Sequence, residues 1–197
     1  MMRTLKSCII LYFTLTIITG IAYPAVVTGI LQLIFPNKAN GDLILTGTET
    51  KGSESIGQKF TDPSYFWSRP STTDYSPLPS GASNLGPTSE SLKQTIQNRQ
   101  NNLTPYISLP IPGDLLLASG SGLDPHISPN AALAQIDHVA QARNLSNEQK
   151  TKLTELVQSE IEKPQWGIFG APRVNVLRLN MLVDKTFGVP EINGAEH

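Results

Sequence analysis

The chain has 197 residues, 39% of them hydrophobic, with 15 Gly, 15 Pro and a formal net charge of -1. A near-neutral chain of pI about 6.3 carries no long-range field to draw in a phosphate backbone, which argues against nucleic acid as a partner. The single cysteine, Cys8, excludes an intrachain disulfide and a cysteine metal cage, and the length leaves room for one soluble domain beside an apolar N-terminus.

No Asp, Glu, Lys or Arg occurs between Lys6 and Lys38, and the run from Cys8 to Phe35 is dominated by Ile, Leu, Val, Phe, Ala and Thr. A helix crossing ~30 Å of hydrocarbon needs ~20 residues, so residues 8–35 are predicted to span a membrane, with 1–7 on one side and 36–197 on the other. The competing reading is a cleaved signal peptide, with Arg3 and Lys6 leading into Cys8 to Thr19. Against it, the apolar run continues through Val26, Val27, Ile30, Leu31, Leu33 and Ile34, and no A-x-A site follows Gly20. Pro24 removes one backbone hydrogen bond and is expected to bend the helix. Thr16, Thr19, Gly20, Thr28 and Gly29 are small residues that let another transmembrane helix approach. Arg3, Lys6 and the terminal amine before the helix, against Lys38 and Asp42 after it, favour a cytoplasmic N-terminus and an extracytoplasmic domain at the cell inner membrane.

From Pro36 to Pro87 turn residues arrive every few positions, so only short strands fit, with Leu43 to Thr46 and Ile56 to Phe60 the best candidates. Tyr65, Phe66 and Trp67 form an aromatic cluster expected to pack on the core. Ser89 to Asn101 reads as a polar helix with Leu92, Ile96 and Arg99 along one side. Ser128-Pro129 opens a second helix, Ser as N-cap and Pro at the first helical position, with Leu133, Ile136, Val139 and Ala140 at helical spacing. Ser146 and Gln149 form a capping box for a third, whose buried face is Leu153, Leu156, Val157 and Ile161 and which Pro164 ends. The alternation from Val174 to Asn180 predicts a half-buried strand. The fold class is therefore α+β: a single N-terminal transmembrane helix, then one small mixed domain with a small sheet and about three helices.

Gly47 and Gly52 have the glycine spacing of a phosphate loop, but Ser53 stands where the loop needs lysine. The stretch Ser119-Gly-Ser-Gly-Leu-Asp-Pro-His-Ile-Ser-Pro129 holds the candidate ligand residues Ser121, Asp124, His126 and Ser128, just before a helix N-terminus. Its structural alternative is a turn in which Asp124 and Ser128 cap that helix. Metal binding by His126 and His138 lacks a third and fourth ligand, so no metal is assigned, and the Asn-x-Ser/Thr triplets at Asn102 and Asn144 are read as chance. No catalytic residue is assigned. An anchored accessory or binding subunit is the leading reading, with a membrane-anchored periplasmic hydrolase using Asp124, His126 and a serine, or a solute-binding module, as alternatives.

Several strings together resemble the C subunit of the bacterial Kdp potassium-transporting ATPase. They are Thr19-Gly-Ile-Ala-Tyr-Pro24, Phe35-Pro-Asn-Lys-Ala-Asn-Gly41, Gly52-Ser-Glu-Ser-Ile-Gly-Gln58, Tyr65-Phe-Trp-Ser-Arg-Pro-Ser71, Gly81-Ala-Ser-Asn-Leu85, Ser119 to Pro129, Val139-Ala-Gln-Ala-Arg-Asn-Leu145 and Val174-Asn-Val-Leu-Arg-Leu-Asn180. The departures are Asp114-Leu-Leu-Leu, which fits no motif, and a polar tail from Gly188 to His197. The resemblance implies a non-catalytic subunit of a high-affinity potassium importer in the lipid bilayer, partnered by a channel-like potassium-conducting subunit and a P-type ATPase subunit. It further implies a role in assembly and as a catalytic chaperone raising the ATPase subunit's affinity for ATP. The resemblance also carries ATP binding as an inherited property; the charge bias places the domain across the membrane from cytoplasmic ATP, so no cofactor is expected to be firmly bound and ATP is expected through the ATPase subunit.

Overall fold

The computed structural model describes residues 2–46 and 49–190. Gly47 and Thr48 of the rejected phosphate loop, and residues 191–197 of the polar tail, lie outside the described residues. The chain divides into two compact units, Met1–Ser53 and Glu54–His197.

The first unit is led by 33 helical residues, Met2–Ile34, none of them buried within the chain. At 1.5 Å per residue the run is about 50 Å long, enough to cross a bilayer. It is made of α1 (Met2–Ile17), a π turn (Ile18–Ala22) and α2 (Tyr23–Ile34). The π turn has a cause in Pro24: a proline cannot donate to the preceding turn, and the chain widens there so that the Tyr23 N–H reaches the Ile18 carbonyl five residues back. Thr16 and Thr19 return their hydroxyls to the Tyr12 and Leu15 carbonyls at 2.8 and 2.7 Å. Pro36 disfavours helical geometry at Phe35, whose φ of -133° and ψ of 61° end the run. A short helix, α3 (Pro36–Ala39), and Gly41 at φ 90° turn the chain into an antiparallel ribbon of β1 (Leu43–Thr46) and β2 (Glu49–Ser53). Ser53 ties the ribbon's end to its start by donating to the Gly41 carbonyl at 2.6 Å. The partner of β1 is thus Glu49–Ser53, and Ile56 to Phe60, expected as a strand, is irregular because Gly57 is drawn onto another loop.

The second unit holds six helical segments among the described residues, against about three expected: α4 (Glu90–Leu103), α5 (Gly113–Leu116), α6 (Pro129–Leu133), α7 (Ile136–Ala142), α8 (Asn147–Ser159) and α9 (Val176–Phe187). Ser89 caps α4 by accepting from the Leu92 N–H, and the Ser146–Gln149 capping box opens α8. Leu153 and Val157 of α8 are fully buried against α6, α7 and α9. The helix expected from Ser128 through Ala140 is interrupted at Ala134–Gln135, and Leu133 is left at the surface.

The predicted strand Val174 to Asn180 is mostly helix. Only β4 (Val174–Asn175) is extended, paired antiparallel with β3 (His126–Ile127). Asn175 then accepts from the Arg178 N–H as an N-cap, and Val176, Leu179 and Val183 recur at helical spacing into the core. Seven residues of alternation were too few to separate the two periods. Among the described residues the sheet content is accordingly two separate two-stranded ribbons.

Between these elements runs Ser64 to Ser68, which leaves a turn at Pro63–Ser64 and joins no sheet among the described residues. Two buried amides stand in for strand neighbours. Asn180 accepts from the Phe66 N–H at 2.8 Å and donates to its carbonyl at 2.9 Å. Gln135 does the same to Trp67, at 2.7 and 3.3 Å. Phe66 is thereby fixed at the centre of the core, fully buried, as its place in the aromatic cluster predicts. At the segment's edge Arg143 donates to the Ser64 carbonyl at 2.7 Å and to Asp184 at 2.6 Å, and lies 5.0 Å over the Tyr65 ring.

Candidate functional site

The loop from Ser119 to Pro129 is held by backbone contacts to two distant segments. The Ser119 N–H donates to the Pro70 carbonyl at 3.1 Å, and the Gly57 N–H donates to the Leu123 carbonyl at 2.8 Å. Two glycines are required for this fit. A Cβ on Gly57 would stand 2.6 Å from the Asp124 carbonyl oxygen, and one on Gly122, at φ 73°, would stand 2.8 Å from Thr73 Oγ1 and 2.9 Å from the Gly81 oxygen. Five of the sequence strings, those containing Gly57, Arg69, Gly81, Asp124 and Asn175, therefore meet around one loop.

Of the four candidate residues, the structure brings Asp124 and His126 together. Asp124 accepts from Arg69 Nη1 at 3.1 Å and, through its other oxygen, from the His126 backbone N–H at 3.0 Å. The His126 ring nitrogen Nδ1 stands 3.6 Å from that oxygen. Burial alone would raise the Asp124 carboxyl, but the His126 ring and N–H together with the Arg69 guanidinium outweigh it and hold it below the usual range. Ser121 lies apart and exposed, accepting from the Leu123 N–H at 3.1 Å. Ser128 caps α6 by accepting from the Ala131 N–H, while its own N–H donates to Asp114 Oδ2 at 2.7 Å. Ser128 thus caps as expected, whereas Asp124 closes the preceding turn instead.

His138 belongs to a different place. It is buried on α7, stacked on Trp67 with ring centroids 4.4 Å apart, and its Nε2 faces the Tyr65 carbonyl at 3.4 Å. Burial pushes its pKa below the ordinary histidine value, against the smaller pull of that carbonyl and of Asp137. Among the described residues no three His, Cys, Asp or Glu side chains converge as a metal site. An open cleft of about 220 Å³ is lined by Trp67, Ser68, Pro70, Arg99, Leu103 and Leu115. Arg99 is committed there to the Leu116 carbonyl at 2.7 Å.

The residues that sequence reasoning missed are Arg69, Asp114 and Gly57. Arg69 and Gly57 lay inside quoted strings with no role attached, and Asp114 had no motif at all. Chemically, the assembly pairs the Asp124 carboxylate with the Arg69 guanidinium and the Ser128 hydroxyl with a helix N–H.

Comparison with known proteins places this arrangement. The family described as "KdpC: K+-transporting ATPase, c chain" matches residues 5–185. The chain is similar to a potassium-transporting ATPase KdpC subunit of Geobacter metallireducens, 49% identical over 190 residues that cover 93% of this chain and 98% of the relative. It is similar to that of Polynucleobacter asymbioticus, 45% identical over 190 residues covering 93% and 99%, and to that of Dechloromonas aromatica, 46% identical over 192 residues covering 93% and 98%. With residues 5–185 matched by the family and relatives 45–49% identical over 93% of its length, the chain belongs to the KdpC family of potassium-transporting ATPase subunits.

Proposed function

We propose that this chain is the non-catalytic accessory subunit of an ATP-driven potassium import complex, holding a channel-like potassium-conducting subunit and a P-type ATPase subunit together. The observation that carries the reading is the internal pairing of the Ser119–Pro129 loop. Asp124 is spent on Arg69 and His126, and Ser128 on α6 and Asp114, so the loop serves as a scaffold for a docking surface. Arg3 and Lys6 before the apolar helix support an N-terminus on the cytoplasmic side and a domain outside. In that orientation the chain binds no ATP itself. Its effect on ATP affinity passes through the ATPase subunit, by packing of its helix in the membrane and by contact of its domain with the channel-like partner.

The test is purification of the membrane complex with the full chain and with a chain lacking its first 36 residues, which removes the run ending at Ile34. Loss of both partners on truncation is the expected result. An intact, fully active importer in a strain lacking the chain altogether overturns the reading. Adding the full chain to the separated channel-like and ATPase subunits should lower the ATP concentration needed for half-maximal hydrolysis.

A further inference from the structure

Glu162 and Arg173 exchange backbone hydrogen bonds at 2.8 and 3.1 Å, and Gln165 and Phe169 do so at 2.8 and 3.0 Å. The chain between them is a narrow finger, braced at its base by Arg173 Nε on Glu162 at 2.9 Å. Its tip presents Trp166 90% exposed, Ile168 78% exposed and Phe169 60% exposed. Trp166 holds a left-handed φ of 53°, followed by Gly167 at 76°, and its ring meets the Phe169 ring edge-on at 5.9 Å. A bulky non-glycine residue in that region is strained. The backbone thus fixes an indole in the open, with two apolar neighbours and the exposed cation Lys163 just behind it.

We propose that this finger is a lipid-interface anchor, its Trp166, Ile168 and Phe169 seated among the headgroups and first methylenes of a bilayer. The occupant follows from the chain itself. A protein carrying an apolar helix long enough to cross a membrane has a lipid surface within tether range at all times, so a second, weaker contact works at high effective concentration. Tryptophan favours the boundary between headgroup and hydrocarbon, and Lys163 complements anionic headgroups there while Arg173 is occupied by Glu162. The finger is also closed by its own hydrogen bonds, so no ordering is needed on contact. This inference is independent of the proposed subunit role, since it concerns only this chain and lipid.

The chain's two tryptophans make the test direct. Trp67 lies at the domain core and Trp166 at the tip. The full chain is reconstituted into vesicles of phosphatidylethanolamine and phosphatidylglycerol, with and without acyl-chain bromination, and the Trp166 component is isolated by difference from the Trp166→Phe variant. Brominated lipid is expected to quench that component roughly two-fold, and the double variant Ile168→Asp, Phe169→Asp is expected to lose the quenching with an unchanged thermal midpoint. Emission quenched by aqueous iodide and untouched by brominated lipid overturns the proposal. So does protection that arises only when the partner subunits are added, an outcome that assigns the finger to a protein socket.

Discussion

At the residue scale, the core depends on side chains that finish backbone hydrogen bonding where no strand is available. Asn180 is 2% exposed and serves both backbone groups of Phe66. Replacing Asn180 by Leu keeps the volume and orphans two buried groups, each costing ~1–3 kcal/mol. Urea unfolding of the chain in detergent should show a loss of roughly 3 kcal/mol, and a loss below about 0.5 kcal/mol would mean that water replaces the amide. His138 supplies a pH signature. Its folded pKa is depressed from 6.5 by burial, so below 6.5 the unfolded chain binds the proton more readily than the folded one. Stability from this group is complete above 6.5 and is lost as pH falls from there toward the folded value. The variant His138→Phe retains a ring against Trp67 and should flatten the part of the stability curve that falls below pH 6.5. Asp124 acts lower, its contribution present above the ordinary value of 3.8 and lost as pH falls through its depressed folded value.

At the element scale, legibility tracked how local the determining interactions are. The caps at Ser128 and Ser146 were readable because donor and acceptor sit three residues apart, and so was β1. The capping box of α8 gives the plainest test: Ser146→Ala should cost about 1 kcal/mol, read as a shift in urea midpoint, and an unshifted midpoint would show that packing of Leu153 and Val157 alone sets the helix start. By contrast, β2, the break at Gln135 and the helical fate of Val176 onward were not readable. Gln135 is committed to a residue 68 positions away, and Gly57 to Leu123. The candidate site divides the same way. Ser128 as a cap was legible in the order of residues, while the Arg69 partner of Asp124, 55 positions off, and the Asp114 partner of Ser128 exist only once the chain has folded.

At the scale of the whole molecule, the N-terminal apolar run, long enough to cross a membrane, is built as two α-helical stretches joined out of phase. A π turn inserts one residue relative to an α-helix, and one residue is about 100° of rotation, so Ile18–Ala22 sets which faces of α1 and α2 point the same way. Pro24 is the cause, because the turn widens where proline withholds its donor. Pro24→Leu restores the donor at little change in apolarity, so membrane insertion should persist while α1 rotates against α2. Cys8 is the chain's one cysteine and is exposed, which makes it a natural site for a spin label paired with a second at Ile30→Cys in α2. The distance between the two labels in bilayer should shift by several ångström on introducing Pro24→Leu, and recovery of the partner subunits in purification should fall. An unchanged distance would show that lipid or neighbouring helices, not the proline, impose the turn, and unchanged recovery with a shifted distance would place the subunit contacts on one side of the turn only.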